Sequence, residues 1–148
     1  MNSTFDFQPR TRTIFGTGVI KQLGELGKEL GFKRTLLVAD RGLVDSGHVA
    51  EAVAPLRAAG IDVIEFHDFD VNPDTAMIEA GASFAASQRI DSFVALGGGS
   101  SLDCAKGINL LVTNGGRMPY RAYRRRTRNP SRPRRRLRRQ TNKARSRR

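Results

Sequence analysis

The chain has 148 residues, 39% of them hydrophobic, and a formal net charge of +12 at neutral pH. That length allows one domain with its own core. The charge does not mark this domain as a nucleic-acid binder, because residues 119–148 hold 15 basic and no acidic side chains, which leaves residues 1–118 at −3. One cysteine excludes an intramolecular disulfide, and neither a signal peptide nor an apolar run of about 20 residues is present, so we expect a cytoplasmic protein without a membrane span.

The first part of the chain predicts short strands and a helix. Residues 5–7 and 11–15 alternate between apolar and polar side chains, which favours an antiparallel β-hairpin or a pair of short strands. Apolar side chains then recur at three- and four-residue spacing over residues 19–30. This spacing predicts an amphipathic helix that ends at Gly31.

The next segments alternate between strand and helix patterns. Residues 35–40 form a continuous apolar run that ends in Asp40, as expected for a strand that is covered on both faces. A helix is predicted over residues 49–59, followed by a strand over residues 61–66 whose acidic residues favour a place near the sheet edge.

A further helix start stands at Asn72-Pro73-Asp74. We predict Asn72 as the N-cap, Pro73 as the first helical residue and Asp74 in the first turn, with the helix reaching about Gln88.

The most informative stretch follows a predicted strand over residues 90–96. Three glycines come first, and two serines and an aspartate then open an apolar helix over residues 102–112. These residues are Gly97, Gly98, Gly99, Ser100, Ser101 and Asp103. A strand, a glycine turn and a helix N-terminus together hold phosphate on backbone N–H groups. The pattern is neither GxGxxG nor a Walker A loop, and a purely structural glycine turn is the alternative.

Strands that alternate with helices predict a parallel sheet and a Rossmann-like α/β fold. Ligands of such sheets bind at the carboxyl ends of the strands, where the strand order reverses. Asp40, residues 70–72 and residues 97–99 all follow predicted strands. We therefore expect them on one edge of the sheet.

Several passages together resemble the iron-containing (group III) alcohol dehydrogenases. The resemblance extends over about residues 5–118, and its most specific part is the GGGSSLDCAK segment at residues 97–106, supported by IFGTG at 14–18 and LVAD at 37–40. It implies an N-terminal dinucleotide-binding domain and a C-terminal helical domain in which an aspartate and three histidines hold Fe²⁺ or another divalent metal. It also implies hydride transfer between an alcohol or aldehyde and NAD(P), and a homodimer.

The resemblance also implies roles for individual residues. The pyrophosphate of the cofactor would lie on Gly97, Gly98, Gly99, Ser100 and Ser101. Asp40 would accept hydrogen bonds from the adenosine ribose and repel a 2′-phosphate, which favours NAD over NADP. Asn72 would contact the cofactor near the cleft, and Asp103 would orient the loop amides or the nicotinamide end.

The metal-binding half of the family has no counterpart in this sequence. His48 and His67 are its two histidines and lack the spacing of metal ligands, so we assign neither metal ligands nor catalytic residues and expect little or no activity. Cys104 lies among apolar neighbours, which favours a buried, inert thiol. Lys106 is either a phosphate contact or a solvated helix residue.

Residues 119–148 differ in character from the domain at residues 1–118. They contain 14 arginines and one lysine with few apolar side chains, which predicts disorder. A frameshift near residues 118–123 explains the excess of arginine and proline, since their codons are rich in G and C. The alternative is a basic arm that binds nucleic acid without sequence preference. Dehydrogenase-like sequence in another reading frame would favour the first explanation, and its absence the second.

Overall fold

A computed structural model of the chain describes residues 11–116. The predicted strand at residues 5–7 and the predicted disordered tail at residues 119–148 lie outside this range, so both stay predictions. Within residues 11–116, no helix is long and apolar enough to cross a membrane.

The described residues alternate between helices and strands much as the sequence predicts. In chain order, the elements are a 3-10 turn Val19–Gln22, α1 Leu23–Glu29, β1 Arg34–Ala39, α2 Arg41–Asp45, α3 His48–Ala58, β2 Asp62–Phe66, α4 Thr75–Ser87, β3 Ser92–Leu96 and α5 Gly99–Asn114.

The three strands form a parallel sheet in the order β2-β1-β3. The central strand is fully covered, since every residue of β1 after Arg34 is buried. Among the described strands β2 lies at an edge, as its acidic residues predict. The predicted parallel α/β sheet is therefore confirmed.

Two apolar clusters cover the two faces of this sheet. Leu36 and Val38 of β1 pack with residues of α4 and α5, whereas Leu37 and Ala39 pack with residues of α3. This division follows from the two-residue period of a strand. Burying a leucine side chain contributes about 2 kcal/mol, so the apolar run of β1 stabilises both layers at once.

Helix α1 packs closely against α3 through its glycines. A Cβ on Gly24 would lie only 2.1 Å from the carbonyl oxygen of Pro55. The apolar Leu30, at the end of α1, is instead exposed. The contact between these helices therefore depends on close backbone approach as well as on apolar side chains.

Three local predictions are wrong. Residues 11–15 form no strand, and no strand of the described sheet pairs with them; residues 5–7, their predicted partner, lie outside the described range. The N-cap of α4 is Asp74, whose carboxylate accepts a hydrogen bond from the Met77 N–H at 2.9 Å, so Asn72 is not the cap. Helix α5 begins at Gly99, three residues before the predicted start.

Asp91 joins β1 and β3 at the amino end of the sheet. Its carboxylate accepts hydrogen bonds from the backbone N–H groups of Lys33 and Arg34 at 3.1 and 3.2 Å, and from the Ser92 hydroxyl at 2.8 Å. Partial burial raises the pKa of Asp91, but these hydrogen bonds and the charge of Lys33 outweigh burial and lower the pKa below its ordinary value of 3.8.

We predict that Asp91→Asn lowers the free energy of unfolding by about 1 kcal/mol at pH 7, because the ionised acceptor is lost. A lowered folded-state pKa stabilises the fold above the unfolded-state pKa, and this contribution disappears as pH falls through the folded value. The difference between wild type and variant should therefore shrink below about pH 4 in urea unfolding curves. Asp45→Asn, at an exposed end of α2, controls for the change in net charge. A difference that is independent of pH would contradict this role.

Candidate functional site

The carboxyl ends of β1 and β3 lie side by side. Ala39 pairs with Leu96 in the parallel register, so the next residues, Asp40 and Gly97, leave the sheet together. The strand order reverses here, because β2 lies on one side of β1 and β3 on the other. Helices α3 and α5 pack on opposite faces of the sheet. These features define a crevice of the kind that binds ligands in open α/β sheets.

Gly97 makes the turn out of β3. Its φ of +126° is a conformation that side chains disfavour, and a Cβ there would lie 2.8 Å from Leu43 Cδ1 and 2.9 Å from Ser101 Oγ. Gly97 is therefore required both by its backbone conformation and by its close neighbours.

The N-terminus of α5 carries no side-chain cap. Its N-cap residue is Gly98, and a Cβ on Gly98 or Gly99 would meet nothing within 4 Å. The space for side chains beside this terminus is therefore open, and the terminus is the positive end of a 16-residue helix whose first N–H groups have no partner within the helix. Such a terminus suits an anion such as phosphate.

The side chains of Ser100, Ser101 and Asp103, which the sequence places at the start of this helix, do not cap it. The helix starts at Gly99, so the serines stand after the N-cap position and cannot act as the cap. The Ser100 hydroxyl instead accepts a hydrogen bond from the Asn72 N–H at 3.2 Å. Asp103 is exposed and lies 3.7 Å from the Lys106 ammonium group.

Ser101 lies beneath the Gly97 turn. It is fully buried, and its hydroxyl has no hydrogen-bond partner among the described residues. A buried polar atom without a partner costs about 1–3 kcal/mol. This unpartnered hydroxyl lies in the first turn of α5, next to the glycine turn.

Asp40 has a structural role that the sequence reasoning missed. Its Oδ1 accepts a hydrogen bond from the Leu43 N–H at 3.2 Å and caps the short helix α2. Its Oδ2 lies on the side of Gly97, 3.4 Å from the position of a Cβ on that residue. One carboxylate oxygen thus holds α2, and the other faces the glycine turn.

Most of the predicted site residues come together at this edge. Asp40 is beside Gly97, and Asn72 reaches Ser100 from the loop between β2 and α4. Asp103 stands apart from this group on the exposed side of α5.

His67 also lies at this edge, although no sequence motif assigns it a function there. One ring nitrogen, Nδ1, lies 2.8 Å from the Ala39 carbonyl oxygen, so the ring N–H donates to the end of β1. The other, Nε2, is 3.4 Å from Glu65. His48 is exposed and lies 3.7 Å from Glu51. Across residues 11–116, no three His, Cys, Asp or Glu side chains converge to hold a metal ion, so the described residues do not fit the metal that the resemblance implies.

Cys104 belongs to the core beneath the site. It is fully buried in the cluster formed with α4, and burial raises the pKa of its thiol to about 11. The thiolate is therefore scarce at neutral pH, which fits an inert packing residue.

A parallel sheet with a glycine turn at its switch point is the arrangement of dinucleotide-binding α/β domains. The protein-family model described as iron-containing alcohol dehydrogenase matches residues 9–138. Since this match covers well over half of the chain, the protein belongs to the iron-containing alcohol dehydrogenase family. The family predicted from the sequence motifs is confirmed.

Individual relatives cover a similar part of the chain. The 1,3-propanediol dehydrogenase of Citrobacter freundii is 38% identical over 114 residues, which are 76% of this chain and 30% of that protein. The NAD-dependent methanol dehydrogenase of Bacillus methanolicus is 35% identical over 106 residues, which are 72% of this chain and 28% of that protein.

A solved structure agrees with the fold. The crystal structure of a 1,3-propanediol oxidoreductase matches with a TM-score of 0.72 at 34% identity, covering 80% of this chain and 31% of that one. The predicted Rossmann-like fold class is thus confirmed. The chain spans about 30% of the length of these relatives.

The loop geometry predicts unequal effects for neighbouring glycines. Gly97→Ala should lower the free energy of unfolding by about 2 kcal/mol, because it adds a side chain at positive φ and against Leu43. Gly98→Ala, which adds a methyl group in open space, should cost less than about 1 kcal/mol. Urea unfolding of both variants measures this difference. Equal losses would contradict the described turn.

Proposed function

We propose that this chain binds NAD at the carboxyl ends of β1 and β3, as the cofactor-binding part of an alcohol dehydrogenase. The observation that carries this proposal is the N-terminus of α5, which has no side-chain cap and opens beside an aspartate at the switch point of the sheet. The NAD-dependent methanol dehydrogenase among the relatives supports the choice of cofactor.

The pyrophosphate would lie on the glycine turn and the first turn of α5. The residues proposed to hold it are Gly97, Gly98, Gly99, Ser100 and Ser101. The lack of side chains at Gly98 and Gly99 lets a phosphate approach the backbone N–H groups. The Ser100 hydroxyl already accepts the Asn72 N–H, so its own hydrogen is free to point to a phosphate oxygen.

Asp40 would select the cofactor at the adenosine ribose. Its Oδ2 faces the glycine turn, and a carboxylate at this position accepts hydrogen bonds from ribose hydroxyls. The same charge repels the 2′-phosphate of NADP. NAD is therefore the proposed cofactor and NADP the weaker ligand.

The reaction proposed for the family member is hydride transfer between an alcohol or aldehyde and NAD. The nicotinamide supplies the hydride acceptor when the cofactor is bound. The described residues bind and orient this cofactor, but they do not fit the divalent metal that the resemblance implies, and we assign no catalytic residue among them. We therefore propose that the 148-residue chain binds cofactor without appreciable turnover. Asp103 stays a predicted site residue, and a homodimer a proposed assembly.

A second role is proposed for residues 119–148. Their 15 basic side chains, without an acid, favour electrostatic binding of nucleic acid that weakens as salt rises. This role would be independent of sequence and separate from the dinucleotide site.

Isothermal titration calorimetry should show that the chain binds NAD more tightly than NADP. Gly98→Val should weaken NAD binding by at least about tenfold, because its side chain fills the space where phosphate would lie. Ala54→Val, at an exposed position of α3, is the matched control and should bind normally. NAD binding that Gly98→Val leaves intact would contradict the proposed site.

Asp40→Asn keeps a side chain that caps helices but removes the charge. The affinity for NADP relative to NAD should therefore rise about tenfold. An unchanged ratio would show that Asp40 does not select the cofactor.

The chain should not oxidise alcohols when Fe²⁺ or Zn²⁺ is added. With NAD and either methanol or 1,3-propanediol, the rate of NADH formation, followed by its absorbance, should equal that of the protein-free control. NAD binding measured on the same sample shows that the site is intact. Metal-dependent NADH formation that a chelator abolishes would overturn the proposal.

A further inference from the structure

Asn72 has an unusual main-chain conformation. Its φ is +57°, and within residues 11–116 Arg89, with φ +53°, is its one counterpart among residues other than glycine. A left-handed conformation disfavours most side chains, but asparagine tolerates it better than other residues with a Cβ. The sequence Asn-Pro-Asp predicts Asn72 as a helix cap, whereas Asp74 caps α4. The conformation of Asn72 therefore needs another explanation.

In this conformation the Asn72 N–H faces the first turn of α5. The group donates a hydrogen bond to Ser100 Oγ at 3.2 Å and so connects the loop before α4 with the first turn of α5. A serine hydroxyl has one hydrogen to donate and two positions that accept. Because the Asn72 N–H occupies one accepting position, the rotation of the hydroxyl is restricted before any ligand arrives.

We propose that Asn72 is a positioning residue that acts through its main chain: its left-handed backbone holds Ser100 as a pre-oriented donor to the cofactor phosphate. This inference rests on the proposed NAD site, and it says which hydrogen bond holds the first turn of α5 in place there. The resemblance implies that Asn72 itself contacts the cofactor, whereas the hydrogen bond to Ser100 needs only the Asn72 backbone.

Glycine and alanine substitutions at Asn72 distinguish a role of its side chain from a role of its main chain. Asn72→Gly removes the side chain but keeps access to positive φ, whereas Asn72→Ala removes the side chain and disfavours that conformation. Gly60→Ala adds a side chain at a φ of +80°, in open space between α3 and β2 at the amino end of the sheet and thus away from the site. It is the matched control for strain alone. Ser100→Ala removes the acceptor.

Calorimetry should show that Asn72→Gly binds NAD within about threefold of wild type, whereas Asn72→Ala and Ser100→Ala each lose about tenfold. The double variant Asn72→Ala/Ser100→Ala should bind no more weakly than either single variant, because both remove one interaction. Gly60→Ala should lower Tm by about 4 °C, as Asn72→Ala does, without changing the affinity. Equal loss in Asn72→Gly and Asn72→Ala would overturn the proposal and assign the role to the side chain.

Hydrogen exchange in the absence of NAD keeps this test separate from the proposed function. The Asn72 amide should exchange slowly in wild type and in Asn72→Gly, and faster in Ser100→Ala. Failure of wild type to bind NAD, with this protection present, would reject the NAD site but keep the hydrogen bond between Asn72 and Ser100. An unprotected Asn72 amide in wild type would reject the positioning role itself.

Discussion

The pairing of Ala39 with Leu96 is the constraint on which the site depends. In parallel strands, this register makes both chains leave the sheet at the same level, so Asp40 and Gly97 become neighbours although 57 positions separate them. The register is held because β1 is buried on both faces, and a shift by one residue would exchange its two apolar faces. The core thus sets the geometry of the glycine turn, and Asp91 reinforces the same strand pair from the opposite end.

The second feature that shapes the site is the lack of a capping side chain at the N-terminus of α5. Gly98 takes the N-cap position of α5 and leaves the first-turn amides without the acceptor that Ser, Thr or Asp would supply. The helix gives up roughly a few tenths of a kcal/mol by having glycine as its cap. Together with the unpartnered Ser101 hydroxyl, this is a local cost at a place where a ligand would offset it. Proteins commonly accept such costs at functional sites.

The strands and the longer helices were predictable from the sequence, whereas two details of the site were not. Apolar runs and helical spacing locate the three strands and the longer helices, because burial enforces their periods. Helix α2 is five residues long, too short to show a period, so the capping role of Asp40 was not found. The Asn-Pro-Asp segment contains two residues that can cap a helix. Asn72 differs from Asp74 in its positive φ and in its hydrogen bond to Ser100, a residue distant in sequence, so the choice between them is not visible locally.

Membership of the iron-containing alcohol dehydrogenase family and the geometry of the crevice lead to one central claim, that NAD binds across the ends of β1 and β3. An NMR titration of the isotope-labelled chain with NAD tests it most directly, because it reports each backbone amide separately. The account predicts saturable shifts concentrated at residues 97–101 and around Asp40, with smaller shifts for NADP at the same concentration. Saturable shifts elsewhere in the domain, or none at these residues, would contradict it.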